Sequence, residues 1–113
     1  MPYMVTGRYR VRPGNEGRFV AQMELLEDLL RREGRGLRYW ALARSAGEPG
    51  VFASVAVWAT PEDERRMLDH PMRQALLPNI TRLLAEQPTA VAGPVALELG
   101  ERRPSGLRAE AED

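Results

Sequence analysis

The sequence predicts an α+β fold, one antiparallel sheet covered on one face by helices, in the ferredoxin-like order strand, helix, strand, strand, helix, strand. Three observations carry this. Tyr9 to Phe19 leaves an alternating apolar segment, turns at Pro13-Gly14 and enters an amphipathic one. Val55 to Arg65 repeats that passage, and Ala46-Gly47-Glu48-Pro49-Gly50 supplies the turn residues of a hairpin between two further strand-like runs. With 113 residues the chain has room for one domain, and a domain of that size buries about 65% of its unfolded surface. The expected division is a folded domain over residues 1–100 and a polar, flexible tail over 101–113.

Each element has a local reason. From Tyr3 to Val11, Tyr3, Val5, Gly7, Tyr9 and Val11 alternate with Met4, Thr6, Arg8 and Arg10, the period of a strand. Asn15 is placed to cap a helix in which Phe19, Val20, Met23, Leu26, Leu29 and Leu30 recur at helical spacing until Gly34. Leu37 to Arg44 and Val51 to Trp58 read as paired strands. Thr60, Pro61 and Asp63 form the start signal of a second helix. His70-Pro71 interrupts that helix, because the residue before proline is driven out of the helical region, and Pro78 kinks or restarts the helical stripe beyond the break. Val91 to Leu99 reads as a last strand, with Gly93-Pro94 marking a bend or an edge position.

Both faces of the third strand are apolar. Val51, Val55 and Val57 lie on one, Phe52, Ala56 and Trp58 on the other. Only one can meet the helices, so the sequence predicts a homodimer joined sheet to sheet. Tyr39 and Trp40 point to opposite faces of the second strand, which commits one of them to the pocket or to that interface.

Composition narrows the chemistry. The formal net charge is 0 and 43% of the residues are hydrophobic, which gives no reason to expect nucleic acid or a membrane as partner. No run approaches the roughly 20 apolar residues of a membrane span, and the expected location is the cytoplasm. The chain has no Cys and no Lys, and His70 is its one histidine. Thiolate catalysis, Schiff-base chemistry and a multi-histidine metal site within one chain are thereby excluded.

The segments Val11-Arg12-Pro13-Gly14-Asn15-Glu16-Gly17-Arg18-Phe19, Arg35-Gly36-Leu37 and Phe52-Ala53-Ser54-Val55-Ala56-Val57-Trp58 followed by Thr60-Pro61-Glu62 resemble the antibiotic biosynthesis monooxygenase family of the dimeric α/β barrel superfamily. The resemblance covers about residues 3 to 99. It implies a dimeric α/β barrel and, for the anthrone-oxygenase type, oxidation of an aromatic polyketide by molecular oxygen with no metal, flavin or other cofactor. It also implies a small aromatic substrate held between sheet and helices, with the Trp58 indole as a wall. Where such enzymes carry asparagine this chain has Gly7 and Ser54, and Glu64 stands at their tyrosine position.

The expected catalytic residues are therefore Trp58 and His70, and the expected substrate-binding residues are Ser54, Thr6, Phe52 and Arg8. Each has a structural alternative. Trp58 could be an ordinary core aromatic, and His70 could satisfy the last carbonyls of the helix it ends. Arg8 and Arg10 could be edge charges or interface ion pairs, while Glu62, Asp63 and Glu64 suit a helix dipole better than a cation. A cyclase or isomerase on the same scaffold, or a non-enzymatic barrel that binds a small molecule, would share this pattern.

Overall fold

The computed structural model describes residues 1–98, so the tail expected over 101–113 lies outside the described residues. Strands β1 (Tyr3–Arg10), β2 (Leu37–Arg44), β3 (Val51–Trp58) and β4 (Thr89–Pro94) alternate with helices α1 (Glu16–Glu33), α2 (Pro61–Leu68) and α3 (Pro71–Thr81). The sheet order is β2-β3-β1-β4 with every pair antiparallel, which is the predicted ferredoxin-like fold. The second helical region is two helices, divided at His70-Pro71 as expected.

The turn before α1 needs Gly14 at φ +84°, a conformation that costs other residues strain. Asn15 occupies the cap position, but its side chain makes no capping bond; the helix begins with the Phe19 N–H donating to the Asn15 carbonyl at 2.9 Å. Phe19, Met23 and Leu30 face the sheet from α1 and are buried. At the start of α2 the Asp63 N–H donates to Thr60 Oγ1 (3.1 Å), and the Thr60 hydroxyl donates to Asp63 Oδ2 (3.0 Å). Gly36, at φ +86°, sits where any side chain would collide with the Asp63 carboxylate, so a glycine here lets α2 dock against the entry to β2.

His70 corrects one expectation. Its backbone is extended; the His70 N–H donates to the Met67 carbonyl at 3.0 Å and so helps to end α2, while the imidazole Nδ1 accepts from the Met72 N–H at 3.1 Å, so it is the start of α3 that the side chain caps. A residue held extended by the following proline is geometrically an N-cap, and Pro71 then takes the first helical position, where it lacks no needed donor. Past α3 the chain returns to the sheet: Val11 bridges Leu84, and the Ala85 N–H donates to the Arg10 carbonyl at 2.8 Å. The last strand starts earlier than expected and stops at Pro94, an exposed edge that among the described residues pairs only with β1.

Two clusters make the core between sheet and helices. One holds Val11, Phe19, Met23, Phe52, Ile80, Leu83 and Leu84; the other holds Leu29, Leu30, Trp58 and Met67. Phe19 and Phe52 are tilted at ring centroids 4.8 Å apart, both almost inaccessible to water. Removing either ring would cost about 3–5 kcal/mol. The register shift between Leu37 and Tyr39 lets Leu37 and Trp40 both pack on the helix side, while Tyr39 faces outward and is 59% exposed.

No helix among the described residues covers the other sheet face. Met4, Tyr39 and Val91 stand exposed there among Val55, Val57 and Ala41, placed beside them by the strand registers. One end of this face is charged: Arg10 and Arg8 reach Glu48 at 3.1 and 3.3 Å and Glu86 at 3.6 and 3.9 Å. The hydrogen bond from Arg10, then its charge, holds the Glu48 carboxyl below the usual carboxylate range. Exposed pairs of this kind add little stability.

Candidate active site

The helix-facing side of the sheet carries Tyr3, Val5, Gly7 and Tyr9 from β1 and Phe52, Ser54, Ala56 and Trp58 from β3, and the register sets Gly7 opposite Ser54. Because Gly7 has no side chain, the Tyr9 hydroxyl reaches over it and lies 3.1 Å from Ser54 Oγ. A Cβ at Gly7 would stand 2.8 Å from the Tyr9 hydroxyl and 3.0 Å from Ser54 Oγ, closer than packed atoms tolerate.

This hydroxyl pair belongs to a partly enclosed cavity of about 210 Å³ between sheet and helices. Met23 and Leu26 of α1 and Leu76 and Ile80 of α3 are among its apolar walls, and it extends to Thr89 and Ala90 on the exposed edge strand. Among the described residues lining it, Arg73 is the one that carries a charge. Two hydroxyls sharing one hydrogen bond use one of their two protons, which leaves the other able to donate to a ligand oxygen. In apolar surroundings such a donor favours an oxygen that gains negative charge.

Of the residues expected from sequence, Ser54 and Thr6 line this cavity. Thr6 has its hydroxyl on the Val91 carbonyl at 3.4 Å. Arg8 lies on the uncovered face in the ion-pair network and borders an open groove of about 640 Å³ there, with Ala43, Glu48, Ala53 and Val55. The Phe52 ring is in the core, between Phe19 and the Arg44 guanidinium 5.0 Å from its centroid. Trp58 is 3% exposed and packed with Leu29, Leu30 and Met67; it is not among the residues lining the cavity. The His70 imidazole, besides capping α3, has Nε2 3.7 Å from Glu33 Oε1 at the end of α1, and it too is outside the lining.

Tyr9 and Arg73 were not singled out by the sequence. Tyr9 shares its strand face with Gly7, so its nearness to the site follows once β1 is paired with β3. Arg73 follows only from how α3 lies on the sheet. Among the described residues no three His, Asp or Glu side chains cluster as a metal site would require.

A family model described as antibiotic biosynthesis monooxygenase matches residues 2–77. Similar solved structures include a candidate antibiotic biosynthesis monooxygenase of Caulobacter crescentus, with a TM-score of 0.80 and 17% identity over 85% of this chain and 91% of that one. SnoaB, a cofactor-independent oxygenase of Streptomyces nogalater, superposes with a TM-score of 0.77 and 18% identity over 88% of this chain and 98% of its own. A Mycobacterium tuberculosis protein gives 0.80 and 17% over 88% and 100%. At these identities the likeness is one of fold. No functionally curated protein matches the chain in sequence.

Proposed function

The chain belongs to the antibiotic biosynthesis monooxygenase family, and from that premise we propose that it is a small oxygenase that oxidises an aromatic or polyketide-like substrate with molecular oxygen and no bound cofactor. The observation that carries this reading is the Tyr9–Ser54 hydroxyl pair inside an otherwise largely apolar cavity. A flat ring fits against Met23, Leu26 and Leu76, and its oxygen meets the free hydroxyl proton. Loss of a ring proton then gives an enolate stabilised by that hydrogen bond. The enolate passes one electron to oxygen, the resulting radicals combine to a hydroperoxide, and loss of water leaves a carbonyl: one methylene and one O2 give one ketone and one H2O.

No carboxylate or imidazole is among the described residues that line the cavity. The proton therefore leaves to solvent through the open side, and the site suits a substrate acidic enough to ionise near neutral pH without a dedicated base. Trp58 and His70 act in this reading through the fold, Trp58 by supporting β3 and His70 by fixing the start of α3, which carries the cavity wall. The working form is a sheet-to-sheet homodimer that covers Met4, Tyr39 and Val91.

Oxygen uptake by chelator-treated protein with 1-naphthol, whose keto form carries a methylene para to the carbonyl, tests the activity. Stoichiometric quinone formation above the uncatalysed rate supports the reading. Rearrangement or cyclisation without oxygen uptake would instead favour an isomerase, for which the same hydroxyl pair would stabilise the same enolate.

A further inference from the structure

Arg73 is out of place for a residue that serves stability. It stands in the first turn of α3, where the helix dipole disfavours a cation, and that turn holds no acidic residue, whereas the first turn of α2 carries Glu62, Asp63 and Glu64. Arg8, Arg10, Arg31, Arg32 and Arg66 all have carboxylate partners. Arg73 has no ion pair or side-chain hydrogen bond among the described residues; it is partly buried and lines the cavity. A guanidinium left unpaired against an apolar pocket presents a planar fork of donors that matches a carboxylate.

The cavity volume adds a second constraint. About 210 Å³ is below the roughly 300–1,000 Å³ of sites that enclose drug-sized ligands. We infer that the substrate is a compact aromatic of one or two fused rings bearing a carboxylate, the carboxylate held by Arg73 and a ring oxygen by the Tyr9–Ser54 pair. This rests on the reading of the cavity as the substrate site. Between the two polar ends the apolar walls accept the ring body, and a neutral three-ring compound satisfies neither the volume nor the charge.

Titration calorimetry of the full chain at low salt, with naphthol, the matching hydroxynaphthoate and a three-ring hydroxyanthracene carboxylate, tests it directly. Hydroxynaphthoate should bind about tenfold more tightly than naphthol. In Arg73→Gln that preference should vanish while naphthol affinity stays, which also shows the variant is folded; Arg73→Lys should keep part of it. Equal affinity for acid and phenol, a preference that survives in Arg73→Gln, or equally tight binding of the three-ring acid would overturn the inference, as would no binding at all. Oxygen uptake, measured separately, distinguishes the two readings. Arg73-dependent binding of the acid without oxygen consumption sinks the oxygenase and leaves this inference standing; oxidation of naphthol with no preference for the acid does the reverse.

Discussion

The Tyr9 and Ser54 hydroxyls lie 3.1 Å apart, on different strands, above a glycine that makes room for them. Together they present one free proton in an apolar cavity, which suits stabilising an oxygen that gains charge. Ser54→Ala and Tyr9→Phe should each lower kcat with an aromatic substrate by about tenfold to a hundredfold, toward the range seen when one oxyanion donor is removed. Because the two act as one unit, the double variant should lose less than the product of the single losses, as steady-state rates will show.

Gly7→Ala places a methyl group against both hydroxyls. It should lower stability by about 1–3 kcal/mol through overpacking and displace the Tyr9 ring from the cavity floor. In a Tyr9→Phe background, where the closest contact atom is gone, the same substitution should cost less. Denaturant melts of the four proteins measure that difference, and equal costs in both backgrounds would place the strain elsewhere.

Much of the frame was legible in the sequence, because β1 has strong alternation, β2 and β3 are joined by turn residues, and Thr60-Pro61 and Pro71 punctuate the helices. The site was less so. The family resemblance names Ser54, but its partner depends on the Gly7–Ser54 register, a long-range property that local spacing does not contain. The family resemblance implies that Trp58 is a pocket wall, yet its end of β3 meets Leu29, Leu30 and Met67. His70 before Pro71 can close one helix or open the next, and it does both: its N–H ends α2 on the Met67 carbonyl, and the extended backbone before proline turns its imidazole to the start of α3.

His70 should accordingly matter for stability more than for turnover. Replacing it by Ala removes the acceptor for the Met72 N–H and should cost about 1 kcal/mol, whereas Asn, a good cap, should restore most of it. Thermal melts with parallel rate measurements check this. A hundredfold loss of kcat in a fully folded His70→Asn would restore the imidazole to the chemistry.

Asp63 ties stability to pH. Hydrogen bonds from Arg66 first, then from Thr60, hold its carboxyl below the ordinary range. A depressed folded pKa contributes stability that is present in full above the unfolded value of about 4 and is lost as pH falls through the folded one. Melting temperature followed from neutral to acid pH should therefore drop less steeply in Asp63→Asn than in the native chain. Parallel curves would remove Asp63 from the acid sensitivity.

The uncovered sheet face predicts its own outcome. Light scattering should give twice the 12.7 kDa of one chain at micromolar concentration, and Tyr39→Glu or Val91→Glu, both at exposed positions, should yield folded monomers. A native monomer, or dimers unaffected by both substitutions, would mean the apolar face is not the interface.

The most direct test of the central claim is where an aromatic ligand binds. A crystal structure with bound hydroxynaphthoate should show the ring between sheet and α3, an oxygen within hydrogen-bond reach of Ser54 or Tyr9, and the carboxylate toward Arg73. A ligand lodged beside Trp58 or on the uncovered sheet face, with the cavity closed by its own side chains, would contradict the account.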